Sequence, residues 1–121
     1  MKPVRGCYFI GPTKKVISGF PDLVKLGIGQ ASFEAQTGGE AGNVKALKGF
    51  GGRGVLEVIE GHDGNAHRAV YTLRFATMVY VLHAFQKKSK SGIATPKHEV
   101  DVIEKRMKDA EALHRHFSQG E

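Results

Sequence analysis

Apolar and polar positions change period along the chain. From Thr13 to about Gln36 the apolar residues recur at helical spacing: Val16, Ile17 and Phe20, then Leu23, Val24, Leu26, Ile28, Ala31, Phe33 and Ala35. Pro21 divides this run into two helices, because a first helical position tolerates a residue without an N–H and Asp22 beside it suits the positive end of the helix dipole. Three runs rich in Val, Ile, Tyr and Phe follow, Val55 to Glu60, His67 to Phe75 and Thr77 to Phe85, and they predict an antiparallel meander. Thr95-Pro96 then opens a helix to about Phe117, with Val100, Ile103, Met107, Ala110 and Leu113 as one apolar stripe. A short strand at Cys7 to Ile10, ended by Gly11-Pro12, precedes everything and reads as an edge or added strand.

The turns are legible to different degrees. Gly61-His62-Asp63-Gly64-Asn65 contains the Asp-Gly pair that supplies the positive-φ positions of a tight hairpin. Thr37-Gly38-Gly39 closes the second helix, and a loop of about fifteen residues, longer than usual in a small domain, leads through Gly49, Gly51, Gly52 and Gly54 around Phe50 and Arg53. It lacks the Gly-Lys-Ser/Thr ending of a phosphate-binding loop and leads into a strand rather than out of one. A two-residue turn at Ala76-Thr77 sets Phe75 opposite Met78. On that register Ala69, Tyr71, Leu73, Phe75, Met78, Tyr80, Leu82 and Ala84 form a core face, while Arg68, Val70, Thr72, Arg74, Val79, Val81, His83 and Phe85 form an open one.

Composition narrows the class. The 121 residues, 40% hydrophobic and 25% charged, fit one folded α+β domain spanning 1–121. The longest apolar run, Met78 to Leu82, is far short of the ~20 residues of a membrane span. No apolar run follows Lys2 and Arg5, so a secretion signal is not expected, and Cys7 stands alone, which leaves no intrachain disulfide or cysteine metal site. A reducing cytoplasm is the simplest location. The net charge of +6 favours a polyanionic partner, nucleic acid first, although a basic surface on an ordinary small protein is an equal reading of charge alone.

Clustering adds weight to nucleic acid. Arg68, Arg74, His83 and Phe85 on one sheet face combine guanidinium forks for phosphates with a ring for an unstacked base. His83 is equally read as a satisfied, half-buried histidine, and Arg74 as a solvated charge at a strand end. Gln86-Lys87-Lys88-Ser89-Lys90-Ser91 concentrates positive charge directly after the last strand, with Lys97 beyond it and Arg53 in the glycine loop, and together they are candidates to grip a phosphate backbone. Cleavage of RNA needs a base for the ribose 2′-hydroxyl, an acid for the leaving oxygen and cations for the charge at phosphorus. His83 fits proton transfer; Lys87 and Lys88 fit charge stabilisation or the acid; Arg68 and Arg53 fit a clamp on the phosphate; and Arg53, Arg74, Phe85, Lys90 and Lys97 fit RNA binding. No metal or other cofactor is required by this chemistry, and His114-Arg115-His116 lacks the further ligands a metal site needs.

The runs Arg68-Ala-Val-Tyr71, Val79-Tyr-Val-Leu-His83-Ala-Phe85-Gln-Lys87-Lys88-Ser, and Thr95-Pro96-Lys97 with Glu99 and Arg106 resemble the phage-derived HigB-like toxins of the RelE/ParE superfamily. Leu47-Lys-Gly-Phe-Gly-Gly-Arg53-Gly-Val-Leu-Glu57 is similar to that family's glycine-led approach to its first long strand. The resemblance covers about Pro12 to Leu113. It implies a RelE-like fold, helices on one face of a mainly antiparallel sheet, with two amino-terminal helices and a carboxy-terminal one. It also implies ribosome-dependent cleavage of mRNA and neutralisation by a cognate helix-turn-helix antitoxin. Gly92-Ile93-Ala94 lengthens the stretch before Thr95-Pro96, and no tyrosine follows the last strand where some RelE-type toxins place a catalytic one. Two other readings stay open: a gyrase-directed poison similar to ParE, and a non-catalytic nucleic-acid-binding prophage remnant.

Overall fold

The computed structural model describes residues 4–51, 54–88 and 95–119. The chain runs β1 (Gly6–Phe9), α1 (Thr13–Ser18), α2 (Asp22–Gln36), β2 (Val44–Ala46), β3 (Val55–His62), β4 (Asn65–Thr72), β5 (Met78–Lys88) and α3 (Lys97–Gln119). The strands form one sheet in the order β1-β5-β4-β3-β2, antiparallel except where β1 runs parallel to β5. The fold is therefore α+β, with two amino-terminal helices and a carboxy-terminal one, as the periodicity predicts. No helix of the described residues is long and apolar enough to cross a membrane.

Local chemistry explains the boundaries. Asp63 and Gly64 both take positive φ, 50° and 79°, in the two-residue turn between β3 and β4. α2 ends in a glycine cap: Gly38 has φ 89°, its N–H reaches the Ala35 carbonyl, and the Gly39 N–H donates to the Glu34 carbonyl at 2.7 Å. The long glycine loop contains a strand that its sequence hides, since the three residues of β2 are too few to show an alternation.

Both faces of the sheet are covered, where the resemblance implies helices on one. Val24, Ile28, Ala31 and Ala35 of α2, with Ile17 and Phe20, pack against Leu56, Val58, Ala69, Tyr71, Val79, Val81 and Ala84. On the other side Ile103, Met107, Ala110 and Leu113 of α3 pack against Val55, Val70, Tyr80, Leu82 and Phe85, joined by Leu47 and Phe50 from the glycine loop. The central strands are apolar at successive positions, so neither face tolerates water.

The turn between β4 and β5 departs from the expected two residues. The strands end at Thr72 and resume at Met78, and the pairing shifts by one residue along the ladder: Thr72 faces Tyr80 and Tyr71 faces Val81, but Val70 faces His83 and Arg68 faces Phe85. Leu82 is the extra residue of a bulge, which turns the alternation over. Arg68, Val70, Thr72, His83 and Phe85 thus share a face as expected, while Tyr80 and Leu82 join them and Val79 and Val81 go to the α2 side.

Ile103 is fully buried between α3 and the sheet, whereas Phe33 of α2 is 61% exposed. Ile103→Ala is expected to cost about 2–5 kcal/mol in urea unfolding, and Phe33→Ala to stay within about 0.5 kcal/mol. A small effect of Ile103→Ala would mean that α3 is not anchored on this face.

Candidate functional site

The bulge decides what lies under α3. The Leu82 carbonyl at the bulge accepts from Arg106 Nη1 at 3.1 Å, and beside it, 3.3 Å away, stands the Thr13 hydroxyl, which donates its proton to the Ile10 carbonyl at 2.6 Å. Thr13 at the start of α1 and Arg106 from α3 thus meet at one atom across the edge of the sheet.

Next along β5, His83 is held from both sides. Its Nε2 lies 2.9 Å from Glu99 Oε1 and its Nδ1 lies 3.0 Å from Arg106 Nη1. A guanidinium only donates, so Nδ1 is the acceptor and the ring proton sits on Nε2, donated to Glu99. Burial pushes the His83 pKa below its ordinary value; the hydrogen bond and charge of Glu99 oppose this, and the Arg106 charge reinforces it. The imidazole is neutral, in one tautomer, and stacked on Phe85 with ring centroids 5.2 Å apart.

Arg68 follows on the adjacent strand. Mid-strand arginine on an apolar sheet requires a counter-charge, and Glu57, diagonal to it on β3, supplies one at 3.0 Å with both side chains buried. The second carboxylate oxygen of Glu57 accepts from the Thr95 hydroxyl at 2.9 Å, and Lys45 Nζ stands 4.0 Å from the first. The segment leading into α3 is therefore fastened to the buried pair. The open cationic face expected from the sequence is a sealed one, because α3 lies over it.

The remaining candidates do not converge. Arg74 is exposed beyond the end of β4 and pairs with Glu111 of α3 at 2.9 Å. Lys87 lies opposite Ala66, at the other end of that strand, roughly 25 Å away at the rise of an extended chain. Lys97 is exposed and pairs with Asp101 one helical turn on. Arg53, Lys90 and the side chain of Lys88 lie outside the described residues. Beyond the start of α3, the same sheet face carries Lys45, Ile59, Ala66 and Lys87, none of them fully buried.

The sequence reading gave Thr13 no part in the site, and it named Glu57, Thr95, Glu99 and Arg106 within the family-like runs without a role. An acid between Leu56 and Val58 in a run with no polar face was the available signal. So was the 99, 103, 106, 110 spacing, which sets Glu99 and Arg106 on the stripe that buries Ile103 and Ala110. Among the described residues no group of three or more His, Cys, Asp or Glu side chains could hold a metal ion. Burial raises the Cys7 thiol pKa, which disfavours the thiolate.

Arg68→Ala leaves the Glu57 carboxylate buried without its main counter-charge and is expected to cost about 3–5 kcal/mol; an Arg68→Met, Glu57→Gln double variant, measured by the same denaturation, should be milder. At His83 the folded protein binds a proton less readily than the unfolded chain, so stability falls as pH drops through the ordinary value of 6.5 and levels off below the folded pKa. In His83→Gln the amide can still donate to Glu99 and accept from Arg106. Between about pH 7.5 and pH 5.5 the wild type should lose more urea resistance than this variant; equal losses would place the titration at another group.

No curated protein and no solved structure gives a significant match to the chain. One family does, described as phage derived protein Gp49-like (DUF891), and its match spans residues 15–108, from α1 through β5 to the middle of α3. The chain belongs to this phage-derived Gp49-like family.

Proposed function

We propose that the protein is the toxin of a type II toxin–antitoxin pair of the HigB-like kind, a metal-independent endoribonuclease that cuts messenger RNA on the ribosome and is neutralised by a cognate helix-turn-helix antitoxin. The observation that carries this reading is the register that brings Lys45 and Lys87 onto one sheet face beyond the start of α3. The phage-derived family and the net charge of +6 support it, since a basic surface rewards contact with phosphates.

Metal-independent cleavage forms a bond from the ribose 2′-oxygen to phosphorus and breaks the bond from phosphorus to the 5′-oxygen. A base takes the 2′-hydroxyl proton and an acid protonates the leaving oxygen. In this proposal solvent water takes the 2′-hydroxyl proton and Lys87 protonates the leaving 5′-oxygen, while Lys45, three strands away on the same face, contacts a neighbouring phosphate, with Arg53, Lys88 and Lys90 as further cations. Arg68 is a positioning residue, because Glu57 engages it under α3. His83 is also a positioning residue here: its one lone pair, on Nδ1, already accepts from Arg106.

The test is single-turnover cleavage of ribosome-bound message. A Lys45→Ala, Lys87→Ala double variant is expected to lose at least ~10-fold in rate with its fold intact, whereas His83→Gln should stay within ~10-fold of wild type. A loss of ~10²-fold or more for His83→Gln would make the imidazole a proton-transfer group and require Arg106 to withdraw. Growth arrest by the wild type without mRNA cleavage would overturn the reading and favour a gyrase-directed poison.

A further inference from the structure

The outer side of α2 is unlike the rest of the surface. Leu23, Leu26 and Phe33 are 69%, 58% and 61% exposed, although Val24, Ile28, Ala31 and Ala35 already anchor the helix to the sheet. The exposed residues are not scattered. Leu23, Leu26, Gln30 and Phe33 follow one another at spacings of three, four and three, the repeat of a helix seam that meets another helix. Lys25, Leu26, Gly29, Gln30, Phe33 and Glu34 line a groove there, completed by Glu40 and Ala41 from the loop behind it.

The flanks of the seam choose the occupant. In heptad terms, with Leu23 and Gln30 at a and Leu26 and Phe33 at d, the flanking e and g positions hold Asp22, Gly27, Gly29, Glu34 and Gln36. Gly29 leaves room for close approach, since a Cβ there would meet nothing, whereas the space at Gly27 is taken by the Glu60 carboxylate. The charged flanks are acidic. Lys25, outside the flanks, lies 3.2 Å from Asp22, and Glu34 sets the sign of the flank at the far end of the groove. A second copy in the same arrangement would bring acid against acid, whereas Lys or Arg beside the partner's seam would meet opposite charge.

We propose that this face docks an amphipathic helix of another protein, about as long as the four turns of α2, with an apolar seam flanked by Lys or Arg. The proposal stands apart from the RNA reading, because α2 lies on the side of the sheet opposite α3, Lys45 and Lys87.

Two synthetic helices of about five turns test it, both with leucine along the seam, one with lysine and the other with glutamate at every flanking position. Fluorescence anisotropy against the full chain is expected to show the lysine peptide binding at least ~10-fold more tightly at low salt, with the preference shrinking as salt is added. The chain carries +6 overall, so unspecific attraction would favour the glutamate peptide. Leu26→Ser and, separately, Phe33→Ser should abolish binding without lowering Tm, and Glu34→Lys should erase or reverse the preference. Equal binding of both peptides, tighter binding of the glutamate peptide, or binding of neither would overturn the proposal. Self-association of the chain in sedimentation equilibrium, lost in Leu26→Ser, would overturn it in favour of a second copy.

Discussion

The ladder between β4 and β5 skips one residue at Leu82, and the interior on the α3 side follows from that skip. A strand that alternated without interruption would send Tyr80 and Leu82 to one helix layer and His83 to the other. The bulge puts all three under α3 and presents the Leu82 carbonyl to Arg106, next to the Thr13 hydroxyl. Arg106 belongs to α3 and Thr13 to α1, so one irregularity of a single strand brings α1, the sheet and α3 together. It also holds Arg106 where its N–H fixes the tautomer of His83.

Glu57, Arg68 and Thr95 form the second polar island in the same layer. A buried ion pair contributes little net stability compared with well-packed apolar side chains, yet breaking it is costly, because the charge left behind has no water. The pair therefore constrains more than it stabilises: the start of α3 has one place to sit. Apolar contacts through Ile103, Met107 and Ala110 hold the helix down, and the polar contacts set its position along the sheet.

The two outer surfaces are chemically distinct. One sheet face carries Lys45 and Lys87 beyond the start of α3, while the far side presents Leu23, Leu26 and Phe33 beside Glu34 and Glu40. A polyanion and an apolar helix with basic flanks would approach opposite sides of the sheet and would not compete for contacts.

The sequence by itself determined the order of the long elements, the meander from Val55 to Phe85, the tight turn at Asp63-Gly64, and the helices around Pro21 and after Pro96. These depend on local periodicity and on residues whose backbone preferences are their own. It also placed Arg68 and His83 on one face, because a turn longer than expected and a one-residue bulge cancel in the register at that point. Only the tertiary structure decided that α3 covers this face, that Glu57 lies within reach of Arg68, and that Arg74 and Lys87 stand at opposite ends of the sheet. Burial and pairing depend on what another segment brings to the same place, and a three-residue strand such as β2 has no period of its own until β3 supplies its partners. The same holds for α2. Its apolar residues are plain in the sequence, but only packing distinguishes those that reach the sheet from those left facing outward.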